Sequence, residues 1–251
     1  EEVLEEIDRR LRVMEDSVRF GLDDKRSDMM LLRPTAKKVL DSEASGCVAL
    51  GGLTTRAAAR ALAVMHACNS RAVVCAAPTG GSAGVVPGVL SSLMEERGLE
   101  RKSAHLALLA AGSVGSVVAG RATFAAETAG CQVEIGAAGA MAAAAVVEVA
   151  GGTPTQAADA AAIALQNTMG SVCDPVHGTC EVPCHTRNAV AASNAFVCAD
   201  LVLGGYQNPV PLDDSVDASF AVGKALPREL RCTAAGGLAV TPSAQSLKRL
   251  R

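Results

Sequence analysis

Apolar positions recur along this chain at helical rather than strand spacing. Leu4, Ile7, Leu11, Met14 and Val18 follow one another at steps of three and four through a highly charged segment, which lays one apolar stripe along a helix. Residues 1–20 are therefore expected as an amphipathic helix packed on the outside of the domain. Residues 21–55 mix charge, Gly and Pro without a long period and read as a loop-rich connection. A helix is expected from Thr55 through TTRAAARALAVMHAC. The Gly/Pro-punctuated segment APTGGSAGVVPG interrupts it before Val89 opens another. The most apolar stretch, Ala104 to Gly120, is short for a membrane span and rich in Ala, Gly and Ser, so it reads as a buried helix.

Local signals sharpen the second half. Thr153, Pro154 and Gln156 place a capping hydroxyl, a Pro in the first turn and a capping-box amide in order. That helix is expected to run to about Met169 and stop at Gly170. Another spans Arg187 to Leu203, ended by Gly204 and Gly205, and a weaker one spans Ser215 to Ala225 before Pro227. No segment alternates with period two between hairpin turns, and no repeat of fixed period is visible. The fold class that follows is mostly α: a single compact, Ala/Gly-rich helical domain covering residues 1–251.

Composition explains how such a domain is built and narrows its partners. Aromatic residues make up 2% of the chain and Trp is absent, so the core must come from closely approaching helices with small contact residues. Against 26 acidic side chains stand 23 basic ones, for a net charge of -3. There is no basic stripe and almost no aromatic surface for base stacking, which argues against nucleic acid as a partner. No membrane partner is expected either. Nine cysteines, an odd number, are spread from Cys47 to Cys232 without the dense spacing of a secreted disulfide scaffold. Reduced thiols and a cytoplasmic location fit that spread. No signal peptide opens the chain and its first residue is Glu1 rather than Met, so the start is expected to be trimmed.

Candidate chemistry concentrates in SVCDPVHGTCEVPCHTRN, which places Cys173, Cys180 and Cys184 with His177 and His185 between two expected helices. Loops between rigid helices suit ligand sites. Zinc uses the same residue types, but the paired CxxC or HxxxH spacings of its structural sites are missing. On the residues alone, a metal site and ordinary buried thiols stay equally open. A second cue is GCQVEIG, where Cys131 follows a Gly and directly precedes an Ala-rich helix. A thiol at a helix N-terminus ionises more readily, as a metal ligand must. The alternative is a small hydrophobe at a tight helix crossing.

Four phrases, AAPTGGSAGVVPGVL, GCQVEIG, CDPVHGTCEVPCHTRN and GGLAVTPSA, in that order, resemble the α chain of the iron-sulfur-dependent L-serine dehydratases (L-serine ammonia-lyases). The separations of 42 residues from Cys131 to Cys173 and 11 from Cys173 to Cys184 resemble those of that family's three cluster-binding cysteines. The resemblance covers nearly the whole chain.

The resemblance implies that Cys131, Cys173 and Cys184 each ligate one iron of a 4Fe-4S cluster set in loops between helices. The fourth iron would lack a protein thiolate, unlike the four-cysteine arrangement of electron carriers. An open iron acts as a Lewis acid for loss of hydroxide from serine while a base takes the α-proton. Pyruvate and ammonia would form without pyridoxal phosphate. The base itself is not legible. Thr79, Gly80, Gly81 and Ser82 resemble the family's substrate loop, where backbone N–H groups approach a carboxylate. The loop lacks the Gly-Lys-Ser/Thr ending of a nucleotide P-loop. Arg187 and Asn188 match an RN pair that would meet a substrate carboxylate or tune the cluster, and Glu134 matches a family acid. His66, His105, His177 and His185 read more readily as structural than as catalytic.

Three positions depart from the family pattern: Arg71, Arg121 and Cys232. If either arginine faced the pocket, the substrate would differ from serine, for example by an extra acidic group. Some members carry a tail cysteine that plugs the open iron; here Cys232 is the nearest substitute in the motif. The alternatives are a related iron-sulfur β-eliminating lyase acting on cysteine, threonine or another small hydroxy acid, and a non-catalytic partner subunit. A structural zinc protein is the third. A separate β subunit or a homodimer is the partner the resemblance implies.

Overall fold

The structure, a computed structural model, describes residues 2–250; Glu1 and Arg251, the two ends of the expected 1–251 domain, lie outside the described residues. The chain is helical throughout. In order come α1 (Glu2–Gly21), α2 (Ala36–Ala44), α3 (Gly52–Asn69), α4 (Val85–Arg97), α5 (Arg101–Arg121), the single turn α6 (Ala126–Ala129) and α7 (Ile135–Val149). Then follow α8 (Pro154–Gln166), α9 (Cys184–Leu203), α10 (Leu212–Ala225) and the short α11 (Pro242–Gln245). Among the described residues the only strand-like pairing is an isolated parallel bridge between Cys173 and Arg231.

The centre of the fold is α7, which reads IGAAGAMAAAAVVEV. From Ile135 to Val147 every one of its residues is buried, so it is apolar all round as an enclosed helix must be. It packs against α4, α5, α8 and α9. Small residues make these crossings close. A Cβ added at Gly88 of α4 would lie 2.7 Å from the Ala57 carbonyl oxygen on α3, and one at Gly21 would lie 1.6 Å from that of Ala63. Replacing either glycine would push two helix backbones apart.

The expected amphipathic helix is α1, which buries Leu11, Met14 and Val18 and leaves Leu4 on the surface. The capping box is present: the Thr153 hydroxyl accepts from the Gln156 N–H, and Gln156 Oε1 accepts from the Thr153 N–H.

Several expectations need correction. Residues 21–55 are not all loop, since α2 forms within them. It buries only Ala36, so it carries no apolar period to read. Helix α4 begins at Val85, four residues before Val89, because Pro87 sits in its first turn, where a missing N–H is tolerated. The Ala104–Gly120 stretch is not fully buried: α5 buries one face and leaves Leu106 and Leu109 exposed on the other. Both α5 and the run Cys131–Val149 are long and apolar enough to cross a membrane by length and composition, and 83% of the latter is buried inside the fold. Helix α8 ends at Gln166 rather than near Met169, its last turn closed by Asn167 and Thr168 side chains bonding back to backbone carbonyls. Finally, α9 starts at Cys184 and α10 at Leu212, each three residues earlier than expected and each directly after a Pro.

Candidate functional site

The three cysteines singled out by sequence come from three kinds of local structure, and only Cys173 sits in an irregular segment. Cys131 opens a 3-10 turn, Cys131–Val133, just ahead of α7. Gly130 before it has φ +73°, and a Cβ there would strike the Ser171 carbonyl oxygen at 2.7 Å, so the Gly of GCQVEIG is required on both counts. The next residue, Gln132, is fully buried; it bonds the Ala129 carbonyl and accepts from the Gly170 N–H, fixing this turn against the segment that leads to Cys173. Cys173 is held by backbone alone: its N–H donates to Leu230 O and its carbonyl accepts from Cys232, each at 2.8 Å. Cys184 is the first residue of α9.

All three are buried, and all nine cysteines are free thiols. The thiols of Cys131 and Cys173 lie side by side. With a carboxylate oxygen of Glu134 they form a group whose donor atoms all lie within 4.8 Å. Cys184 is paired instead with Cys180. Accepting a hydrogen bond from Cys180, with Arg187 near, lowers the Cys184 thiol below its usual range and raises its neighbour. Contact with Cys131 and burial push the Cys173 thiol far up.

Arg187, in the first turn of α9, joins the two sides. It donates to Cys131 Sγ at 3.4 Å, to the Val172 carbonyl at 2.8 Å and to Asp174 at 2.9 Å. Asp174 also accepts from the Leu238 N–H at 2.7 Å, and a Cβ at Gly237 would fall 2.3 Å from its carboxylate. The GGLAV phrase therefore serves to let the chain close over Asp174. Cys131 and Arg187 both line a cleft of about 460 Å³, bounded further by Asn167, Thr168, Ser171 and Asn194.

The expected substrate loop does meet these residues. Thr79 donates to Glu134 Oε1 at 2.5 Å, and its hydroxyl also contacts that of Ser82. Gly81 abuts the same carboxylate, where a Cβ would lie 2.5 Å from Oε1. Gly80 is exposed, and its carbonyl accepts from the Cys68 thiol at 3.6 Å. Burial raises the Glu134 carboxyl above its ordinary range.

Asn188 and Ser82, expected at the substrate, face the protein interior. Asn188 is fully buried, with Nδ2 on the Gly81 and Cys184 carbonyls and Oδ1 accepting from the Gly84 N–H. It stitches the glycine loop to α9. Ser82 is fully buried as well.

Each of the four histidines is engaged by a hydrogen bond within the fold. His177 bonds the Ala244 carbonyl, His105 bonds Asp8, and His66 bonds the Gly21 carbonyl. His185 bonds Asn69, and burial drives it down to about 3. Neither arginine that departs from the family pattern faces the cleft. Arg121 pairs with Asp213 and Asp217 of α10, and Arg71 pairs with Asp28 on the surface. An altered substrate charge finds no support in either. Cys232 does reach the site, its backbone N–H donating to the Cys173 carbonyl at 2.8 Å.

Sequence reasoning missed Glu181, which lies between Cys180 and Cys184. Its buried carboxylate accepts from the N–H groups of Met30, Leu31 and Leu32 at 2.7–2.8 Å. Its donors lie some 150 residues away in sequence, so no local pattern announces it. Asp174 and Gln132 were missed for the same reason.

A family model described as serine dehydratase alpha chain matches residues 1–239. The chain belongs to the serine dehydratase alpha chain family. It is similar to the probable L-serine dehydratase, alpha chain, of Bacillus subtilis, with 43% identity over 99% of this chain and 83% of that protein. The L-serine dehydratase, alpha chain, of Peptoniphilus asaccharolyticus is 37% identical over 99% and 86%. The L-serine dehydratase of Mycobacterium bovis is 40% identical over 72% of this chain but only 40% of its own length. Some serine dehydratase relatives thus carry a second, larger portion that this chain does not match.

The donor set fits the cluster this family resemblance implies. The buried thiols of Cys131 and Cys173 stand together, Arg187 contacts Cys131, and buried Cys184 opens α9 one turn before that arginine, surroundings in which thiolates are stabilised.

Proposed function

We propose that the chain is the catalytic part of an enzyme that converts L-serine to pyruvate and ammonia, with Cys131, Cys173 and Cys184 holding a 4Fe-4S cluster. The observation that carries this reading is that, in a serine dehydratase alpha chain, the buried thiols of Cys131 and Cys173 meet Glu134, which Thr79 touches, while Arg187, one turn after Cys184, reaches Cys131. The cluster would supply a Lewis-acidic iron without a protein thiolate, which eases departure of hydroxide. Everything else is the chain's own work. Arg187 is placed to balance the charge of thiolates at Cys131 and to face a substrate carboxylate from the cleft wall. Exposed Gly80 leaves its backbone open to a ligand. Glu134 makes no ion pair among the described residues; Thr79 donates to its Oε1 and the Cys131 thiol to its Oε2 at 4.0 Å, so the carboxylate stands at the thiols, placed to take a proton.

Free thiols at all nine cysteines suit a reducing, cytoplasmic setting. The alpha-chain names of the relatives support a separate β chain as partner. Anaerobic loading with iron and sulfide, followed by a pyruvate and ammonia assay on serine, threonine and cysteine, tests the reading. Serine turnover dependent on the cluster is expected. Loaded protein that releases ammonia from none of the three, with the β chain present, would contradict it.

A further inference from the structure

The guanidinium of Arg187 reaches several groups at once, and one buried carboxylate fixes its orientation. Nη1 donates to Cys131 Sγ at 3.4 Å and to the Val172 carbonyl at 2.8 Å, and Nη2 donates to Asp174 Oδ1 at 2.9 Å. Val172 and Asp174 are the two chain neighbours of Cys173, so the arginine brackets that residue while it touches Cys131. Three of the five N–H donors of a guanidinium are then in use. The two that remain are on Nε and Nη2, and Arg187 lines the cleft. Two donors of one planar fork are what a carboxylate takes as a bidentate partner.

Asp174 is itself held from its other side. Its Oδ2 accepts from the Leu238 N–H at 2.7 Å, a tie across 64 residues of sequence, and its side chain is 3% exposed against 23% for Arg187. Gly237 has φ +58°, and a Cβ there would lie 2.3 Å from Oδ2, so both its conformation and this contact require glycine. Each carboxylate oxygen thus has one assigned partner. A buried ion pair contributes little net stability compared with apolar residues of similar volume; what this one confers is a single orientation of the guanidinium. A neutral Asn of the same shape could not serve both partners. It has one oxygen, and its NH2 would meet either the Leu238 N–H or the Arg187 N–H, donor against donor.

We propose that Asp174 is a positioning residue for substrate binding: it occupies one donor of Arg187 and so leaves Nε and the second Nη2 donor for the carboxylate of the amino-acid substrate. The inference rests on the serine reading and adds to it the residue that sets how the carboxylate is held.

Steady-state kinetics on the iron–sulfide-loaded chain with its β chain test this through a double-mutant cycle of Asp174→Asn and Arg187→Lys. In the parent background Asp174→Asn should raise KM for serine at least ~10-fold with a smaller fall in kcat, the pattern of lost binding common to ground and transition states. In the Arg187→Lys background there is no fork to orient, and the same change should cost less than ~3-fold. Iron and sulfide content and the visible absorption of loaded Asp174→Asn should match those of the parent. Equal fold losses in the two backgrounds, or a fall in kcat at unchanged KM, would overturn the proposal. So would an Asp174→Asn chain that takes up less iron, because Asp174 would then serve the seat of Cys173 rather than Arg187. A parent that turns over no serine contradicts the serine reading, and this proposal with it, before any variant is compared.

Discussion

The two sides of the cleft present thiols in different ways. On one side, Cys131 and Cys173 touch each other, and Arg187 reaches over to Cys131. There the thiols lie against one another and against Arg187, over backbone held by Gln132, Leu230 and Cys232. On the other side, Cys184 is set by the start of α9, which Asn188 and Glu181 anchor through buried hydrogen bonds to the glycine loop and to residues 30–32. That wall is braced from behind by groups that do no chemistry. A bound cluster would rearrange the first wall more than the second.

The largest expected effect falls on both walls alike. Cys131→Ser and Cys184→Ser should each lower serine turnover by more than ~100-fold, beyond what loss of an outer partner costs a metal site, and should bind no full complement of iron. A Cys184→Ser protein that retains its cluster and turnover would remove the second wall from the site. Glu134→Gln comes next, with a fall in kcat of ~100-fold or more if the carboxylate moves the α-proton and an unchanged iron content. Loss of iron together with activity would make Glu134 a ligand rather than a base.

Asn188→Ala separates bracing from chemistry. It leaves the buried Gly84 N–H and the Gly81 carbonyl without partners, a cost of about 1–3 kcal/mol in unfolding free energy measured by denaturant. Proton linkage acts at the same wall. His185 is buried against His66, with ring centroids 5.5 Å apart, and its folded value of about 3 lies below the 6.5 of an ordinary histidine. Below 6.5 the unfolded chain binds the proton first, so stability that is complete above that pH is lost as pH falls toward 3. Replacing His185 by Gln should reduce the slope of unfolding free energy between those limits by up to about 1.4 kcal/mol per pH unit. The smallest effect is expected at Arg121→Ala, which should change stability by at most ~1 kcal/mol and leave the substrate profile intact, because its exposed partners are on α10.

How much of this was legible follows from the range of the interactions. The helices with an apolar period or a capping box, α1 and α8, were readable because the signals lie within a few residues. Helix α2 was not, since its burial amounts to one alanine. At the site, the three cysteines stood out only through their order within several phrases. The Thr79–Ser82 loop and Asn188, both matched to a substrate role, come together through the Asn188 side chain, which bonds backbone groups of the loop and of Cys184. Glu181 and Asp174 carry no local mark at all. Cys232 was noticed as a departure, and its contact with Cys173 comes from pairing across nearly sixty residues.

The most direct test of the central claim is the iron and sulfide content of the anaerobically loaded chain, read together with serine turnover. Four irons and four sulfides per chain are expected, with pyruvate release that rises in proportion to the loaded fraction and vanishes with the cluster on exposure to air. A chain that turns over serine equally well without iron and sulfide would contradict the account.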